Sequence, residues 1–297
     1  MKETTRKTKH RSPEQVKDFL RSICFLAPSV LGVGVFFILP FGVVVYYSLT
    51  NGAGEFVLLE NFRRLFQNQI FRLAAKNTLT FSALAVPLAV ILAIVLALLL
   101  EARIPLKSQF RTFFLSPMMV PVASVVLIWQ VLFNFNGTIN VFLAQFGVDK
   151  IDWLQSDHAH WVVILLFLWK NLGYNMILFM AGIANIPKEL LEVADVEGAS
   201  EAYKFFAIKL RYLSPTVLFV TILSLINSFK VFREVYLLAG NYPYQALYTL
   251  QHFMNNMFGA MDYRKLSAAA VIMAIAMVVI IAVLFAVEDW FGKDVEG

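Results

Sequence analysis

Cysteine is almost missing from this chain, and so is charge. Cys24 is the one cysteine among 297 residues, so no intrachain disulfide can form and the stapled frameworks of small secreted domains are excluded. Charged residues make up 15% and hydrophobic residues 59%, where soluble domains hold roughly 25% and 45–50%. One water-exposed globule cannot hide that much apolar surface. Catalytic patterns are missing too. No G-x-x-x-x-G-K-[ST] phosphate loop occurs, since Gly292-Lys293 is followed by Asp294, and there is no H-E-x-x-H, G-x-S-x-G or Cys–His set. His10 and His252 stand alone. The net charge of +5 could speak for nucleic acid, but a soluble nucleic-acid binder would not carry this apolar load, so no nucleic-acid partner is expected.

What the chain has is long apolar runs. Six of them centre near Val35, Val90, Val122, Val163 to Met180, Leu223 and Ala276, each near the roughly 20 residues that a helix needs to cross the hydrocarbon layer. They are spread from end to end with no polar half to split off, which predicts a single all-α membrane domain of about six transmembrane helices and a lipid bilayer as its surroundings. The first run, Ile23 to Leu49, follows a basic tail with Arg6, Lys7, Lys9 and Arg11 and so imitates a signal peptide. Its core is too long and lacks an A-x-A cleavage site, so it reads as a retained first helix. Gly32, Gly34 and Pro40 are tolerable there because neighbouring helices can satisfy loosened backbone groups. Pro87, Pro117 and Pro121 predict kinks in spans two and three.

Lysine and arginine give the bundle a direction, because cytoplasmic loops near span ends carry the excess. One side collects 15: seven before Ile23, three from Glu101 to Arg111, four from Asn185 to Ser214 and one after Val287. The other side collects seven, in Thr50 to Lys76, at Lys150, and at Arg264 and Lys265. Both termini are therefore expected in the cytoplasm. The layout is a basic cytoplasmic tail over 1–22, a six-span domain over 23–290 and a cytoplasmic C-terminal tail over 291–297. Tyr46, Tyr47, Trp153, Trp161 and Trp290 near span ends fit the interface belt.

The polar stretch at 186–213, between spans four and five, is no ordinary linker. Pro187 suits a first helical turn, Glu189, Glu192 and Asp195 recur every three residues, and Gly198 allows a close turn before a second helical stretch. Leu190, Val193, Ala194 and Phe205 offer apolar faces. By physics alone this is a surface helix able to dock in a partner's groove, or an acidic solvated linker.

Its spacing is specific. Glu192-Val193-Ala194 is followed by Gly198, Ile208 and Leu210. This resembles the membrane subunits of binding-protein-dependent ABC importers, in particular the carbohydrate group of maltose-like and glycerol-phosphate-like permeases. Their signature is E-A-A, three residues, G, nine residues, I, one residue, L-P. Val193 replaces the middle alanine and Arg211 the final proline, which leaves open how the segment re-enters the membrane. The phrases Phe179 to Pro187, Asn136-Gly137-Thr138-Ile139-Asn140 and Leu266-Ser267-Ala268-Ala269-Ala270 also look like the family's, so the resemblance covers nearly all of the chain beyond the basic tail. Gly240-Asn241-Tyr242-Pro243 departs from its usual Gly-Gly-Pro turn.

The resemblance implies a great deal. The Glu192 to Gly198 helix would be the coupling helix seated in an ATPase cleft, with Glu192, Ala194, Glu197, Gly198, Ala199, Ile208 and Leu210 as the coupling residues. The chain would bind no cofactor, while ATP and Mg would sit on the partner ATPase. Partners would be a second, homologous permease, two ATPase subunits and an extracytoplasmic substrate-binding protein. The setting would be the bacterial plasma (inner) membrane and the activity import of a sugar or oligosaccharide by alternating access. The rival is a self-contained ion-coupled carrier or channel. It would be favoured by inverted repeats, and none is evident.

Three cations fall inside apolar runs: Lys170, Lys230 and Arg233. Counted inward from Trp161 and from Ala239, Lys170 and Lys230 each lie nine residues deep, roughly 14 Å at about 1.5 Å per residue. Charges at that depth cost at least about 2.5–3.5 kcal/mol on insertion scales and face a cavity or partner rather than lipid, and transporters often bind cargo at this level. Trp169, Asn171, Tyr174 and Asn175 surround Lys170, and Asn227 and Glu234 flank Lys230. Amides, charges and aromatic faces suit a sugar, and an excess of cations permits an acidic glycan. A structural role stands equally open: Lys230 paired with Glu234 on its own helix, and Lys170 capping carbonyls or meeting an acid on a second subunit. In the external loop, His158-Ala159-His160 with Asp152 and Asp157 is a weak metal pattern.

Overall fold

The computed structural model describes residues 13–101 and 106–292. The basic residues before Pro13, Arg103 and the tail from Lys293 lie outside the described residues. Six helical segments are long and apolar enough to cross a membrane: Arg21–Leu49, Gln69–Glu101, Val122–Ala144, Ala159–Ala184, Ser214–Ala239 and Tyr263–Trp290. They are spans one to six below. No strand occurs among the described residues beyond one isolated bridge between Thr50 and Phe56.

Span two organises the bundle, packing against spans four and five and the short helix Leu250–Gly259. Its sequence explains why. Ala85, Ala89, Ala93 and Ala97 recur every fourth residue and each is 0% exposed. On an α-helix this spacing makes a ridge of small side chains, which lets two backbones approach in lipid, where packing rather than water drives association. Span four answers with Val163, Leu166, Phe167, Met176 and Phe179, all buried, in two clusters that share span two.

A second close approach fixes the chain before span four. The helix Lys107–Met119 crosses span four at Gly173. A Cβ there would stand 1.9 Å from the Phe114 carbonyl oxygen, so only glycine fits. The chain then bends at Val120, which is extended at φ −81° and ψ 132°, and resumes as Val122–Phe133. Pro121 forces this, since proline pushes the preceding residue out of the helical region. Pro87 and Pro117 instead stand inside unbroken helices, so of the three prolines only Pro121 interrupts one. In span one, a π-helical turn at Gly34–Ile38 precedes Pro40. The wider turn gives room where proline would clash with the carbonyl four residues back. Span one begins from a helix that starts at Pro13 and touches the rest of the chain chiefly through Leu39–Leu49 along span six.

On the side expected to be external, Leu250–Gly259 docks on spans two and six. His252 is 0% exposed there. It makes a capping box with Thr249 and lies edge-on to the Phe232 ring at 4.6 Å. Burial lowers its pKa from the ordinary 6.5 to about 4, so the folded protein holds it neutral.

Two outcomes are expected. Gly173→Ala overpacks the crossing with Phe114 and costs about 1–3 kcal/mol. It lowers the melting temperature of the detergent-purified protein, whereas Gly34→Ala, which meets nothing within 4 Å, leaves it unchanged; equal effects would contradict the crossing. Because the unfolded chain protonates His252 near 6.5 and the folded one only near 4, the stability held above pH 6.5 falls away between those values, by about 3 kcal/mol from this residue. Melting at pH 7 and pH 4.5 should therefore show a larger drop for the native protein than for His252→Gln.

Candidate functional site

Span five is broken at mid-depth. Its helix runs Ser214–Phe229, turns through Lys230 and Val231, and resumes as Phe232–Ala239. Around the break the bonds become i to i+3: the Lys230 amide donates to the Asn227 carbonyl at 3.0 Å and the Glu234 amide to the Val231 carbonyl at 3.1 Å. The tighter turn matters for the side chains. Four residues apart means about 40° of offset on an α-helix and about 120° on a 3₁₀ turn, so Glu234 turns away from Lys230.

It turns toward span four. Glu234 and Lys170 form an ion pair, both largely buried, with 11% and 20% of their side chains exposed. This corrects the sequence-based alternatives: Glu234 partners Lys170 rather than Lys230, and the acid that Lys170 meets is on its own chain. The pair is one of three rungs between spans four and five. Asn227 donates to the Asn171 side-chain oxygen at 3.0 Å, and Asn175 to the Ser224 hydroxyl at 2.9 Å. Ser82 and Ser228 add a hydroxyl contact of 2.8 Å between spans two and five.

Beside the rungs lies a cavity of about 470 Å³. Lys170, Asn171, Tyr174, Asn227, Lys230, Arg233 and Glu234 all line it, with apolar walls from Met118, Leu166 and Leu223. Two candidates do not reach it. Asn175 is 1% exposed between the helices, and Trp169 packs on Trp129 at 5.2 Å between ring centres. Trp129 in turn contacts Phe133, which contacts Trp153, so the tryptophans at this level stack inside the bundle.

The polar segment between spans four and five is built as two short helices. Lys188–Val196 ends in a Schellman turn: the Ala199 amide donates to the Ala194 carbonyl at 2.9 Å and the Gly198 amide to that of Asp195 at 3.1 Å. Gly198 takes φ +74°, a left-handed conformation that costs other residues about 1–2 kcal/mol. Ser200 then caps the next stretch by accepting from the Tyr203 amide. A π-helical turn follows at Lys204–Lys209, which contains Ile208, and Leu210 opens the last short helix. Lys204, 8% exposed, is paired with both Asp195 and Glu201. Their hydrogen bonds hold its ammonium above the usual lysine range and lock the two helices together. Ala194 faces inward, while Glu192 and Glu197 are exposed and Ala199 is half-buried. Leu190, Val193 and Val196, spaced three apart, are 39%, 56% and 89% exposed.

Arg211 does not end the helix where a proline would. The chain turns at Leu213, and Pro215 starts span five instead. His158 and His160 diverge: the first meets Ser156 and Trp153, the second packs on Phe81 and Trp161. Among the described residues no group of three possible metal ligands is assembled.

Residues 89–297 match the family described as binding-protein-dependent transport system inner membrane component. The chain is 30% identical to the probable ABC transporter permease protein YesP of Bacillus subtilis over 93% of this chain and 92% of that one. It is 28% identical to the arabinooligosaccharides transport system permease protein AraP of the same organism over 87% and 84%. Among solved structures it superposes, with a TM-score of 0.83 and 21% identity, on a chain of a bacterial alginate ABC transporter in complex with an alginate pentasaccharide-bound periplasmic protein. That match covers 96% of this chain and 99% of that one.

The rungs generate an expectation. Glu234→Gln strands Lys170 in a buried site and costs about 3–5 kcal/mol, whereas removing both charges together with apolar groups of similar size is close to neutral. In detergent melting, Glu234→Gln should fall well below the native protein and the double variant Lys170→Met, Glu234→Leu should recover most of the loss. A double variant as unstable as the single one would contradict the pairing.

Proposed function

The chain belongs to the binding-protein-dependent transport system inner membrane components, and from that premise we propose that it is one permease subunit of an ATP-driven importer of a sugar or oligosaccharide. One relative, AraP, is named for the transport of arabinooligosaccharides, and the six apolar spans make this chain a multi-pass membrane protein. The motor is on another chain, since no phosphate-binding loop occurs here. Two ATPase subunits, a second, similar permease and an extracytoplasmic binding protein complete the machine. ATP and Mg are held by the ATPases, and this chain binds neither.

The observation that carries the reading is the helix Lys188–Val196. Three exposed apolar residues, Leu190, Val193 and Val196, form a stripe on it, flanked by the exposed carboxylates of Glu189, Glu192 and Glu197. A solvated linker has no use for such a stripe. A helix seated in another protein's groove does. Closure of the ATPases pushes this helix, and the spans it is fastened to rock around the mid-depth cavity. The positive excess on the segments at Lys107 to Arg111 and Lys188 to Arg211 supports a cytoplasmic location for that face and for both termini.

Purifying the tagged chain tests the assembly: an ATPase and a second permease should co-elute, and a lone chain that transports would favour the self-contained carrier. Gly198→Val strains the left-handed turn and Glu192→Ala removes an exposed charge from the docking face. Both variants should reach the membrane in normal amounts yet lose at least ten-fold in uptake, with ATP hydrolysis no longer stimulated by cargo. Normal uptake by both would contradict the coupling role.

A further inference from the structure

We propose that the mid-depth cavity receives an anionic group of the cargo, a carboxylate or phosphate carried on a sugar, through Lys230 and Arg233. The proposal rests on the importer reading and adds the charge of what is carried. Three cations and one carboxylate line the cavity. Glu234 is committed to Lys170, so that pair is neutral as a unit. The side chains of Lys230 and Arg233 have no ion pair and no hydrogen bond among the described residues, and both are exposed. Two positive charges at membrane depth need a counter-charge.

The other polar groups point the same way. A neutral sugar is held by groups that donate and accept, such as amides. Here the amides are largely spent. Asn171 accepts from Asn227 and donates to the Phe167 carbonyl, and Asn175 is turned into the helix interface on Ser224. What remains free is dominated by Lys230 and Arg233, which donate and never accept. Two uncommitted cations complement an acceptor-only ligand, and charge-assisted bonds of this kind are about twice as strong as neutral ones. Carboxylate and phosphate are both such acceptors.

The test uses the assembled complex of this chain with its permease and ATPase partners, without the binding protein, so that the selectivity read is that of the membrane path. Isothermal titration compares a uronate oligosaccharide, its carboxyl-reduced neutral counterpart and a sugar phosphate. One anionic solute is expected to bind at least ten-fold more tightly than the neutral one, and which of the two it is identifies carboxylate or phosphate. Lys230→Gln with Arg233→Gln should weaken that binding ten-fold or more, while Lys150→Gln, a cation on the external loop, leaves it unchanged. If neither the uronate nor the sugar phosphate binds more tightly than the reduced counterpart, the proposal is overturned. An assembled double variant that binds as the native complex does overturns it too. Should the double variant fail to assemble, the comparison of the two anions with the reduced sugar on the native complex decides alone. Failure of the importer reading itself would look different: no ATPase would co-purify.

Discussion

The alanine ridge of span two is the constraint on which the rest depends. In water, bulky side chains could bring helices together by escaping solvent. In lipid that force is absent and backbones must approach closely enough for packing and interhelical hydrogen bonds to act. Ala85, Ala89, Ala93 and Ala97 let spans four and five settle against the same helix. Spans four and five thereby become neighbours, and their polar groups meet. Without the ridge Asn175 and Ser224, Asn171 and Asn227, and Lys170 and Glu234 would be six groups at membrane depth, each seeking water.

Each rung is modest, since interhelical hydrogen bonds in membranes average about 0.6 kcal/mol. Their order matters more than their sum. Of the two neutral rungs, Asn175 to Ser224 is buried between the helices and Asn171 to Asn227 lies at the cavity wall, while the charged rung lies at the break in span five. That break lets the chain satisfy two demands at once: Glu234 swings to Lys170, and Lys230 and Arg233 keep to the cavity side. A continuous α-helix would have set Glu234 beside Lys230 and left Lys170 stranded. The broken helix is thus what divides the charges into one paired and two available.

Much of this was legible in the sequence, for a physical reason in each case. Span number followed from hydrophobic length, and the close turn at Gly198 from glycine's tolerance of left-handed backbone. The depth of Lys170 and Lys230 followed from the rise per residue. Pairings were not legible, because they depend on which helices are neighbours and on local twist. The i+4 spacing made Lys230 and Glu234 look like a pair, and nothing in the letters announced a 3₁₀ turn between them. Asn175 and Trp169 were attractive for the same reason that they fall elsewhere: proximity along the chain does not say which side of a helix faces a cavity. The alanine ridge did leave a signal, small residues every fourth position in Gln69–Glu101, which a search for spacing of small rather than large residues finds. Lys204, in a segment read mainly for its acids, was hidden among surface charges although it is the clasp of that segment.

The departure at Arg211 turns out to be a displacement of the turn and not its loss. Leu213, fully buried, marks where the chain swings, and Pro215, two residues on, supplies the helix start. Between Gly198 and that point the chain is fastened at several places. Lys204 clasps Asp195 and Glu201, Lys209 reaches Glu101 at the end of span two at 3.1 Å, and Ser214 donates to Glu288 near the end of span six at 3.1 Å. Under the proposed coupling, a push on the helix Lys188–Val196 is delivered to the ends of spans two, five and six together, while Gly182, pressed against Leu213 and Thr216, ties in span four. The bonds join helices at their ends, so a rotation applied there grows into displacement with distance along each helix. Under the proposed docking, the matching groove has an apolar floor for Leu190, Val193 and Val196 and basic groups at its rim for Glu189, Glu192 and Glu197. A groove lacking either would leave apolar surface or uncompensated charge at the joint, and a joint that slips transmits no work.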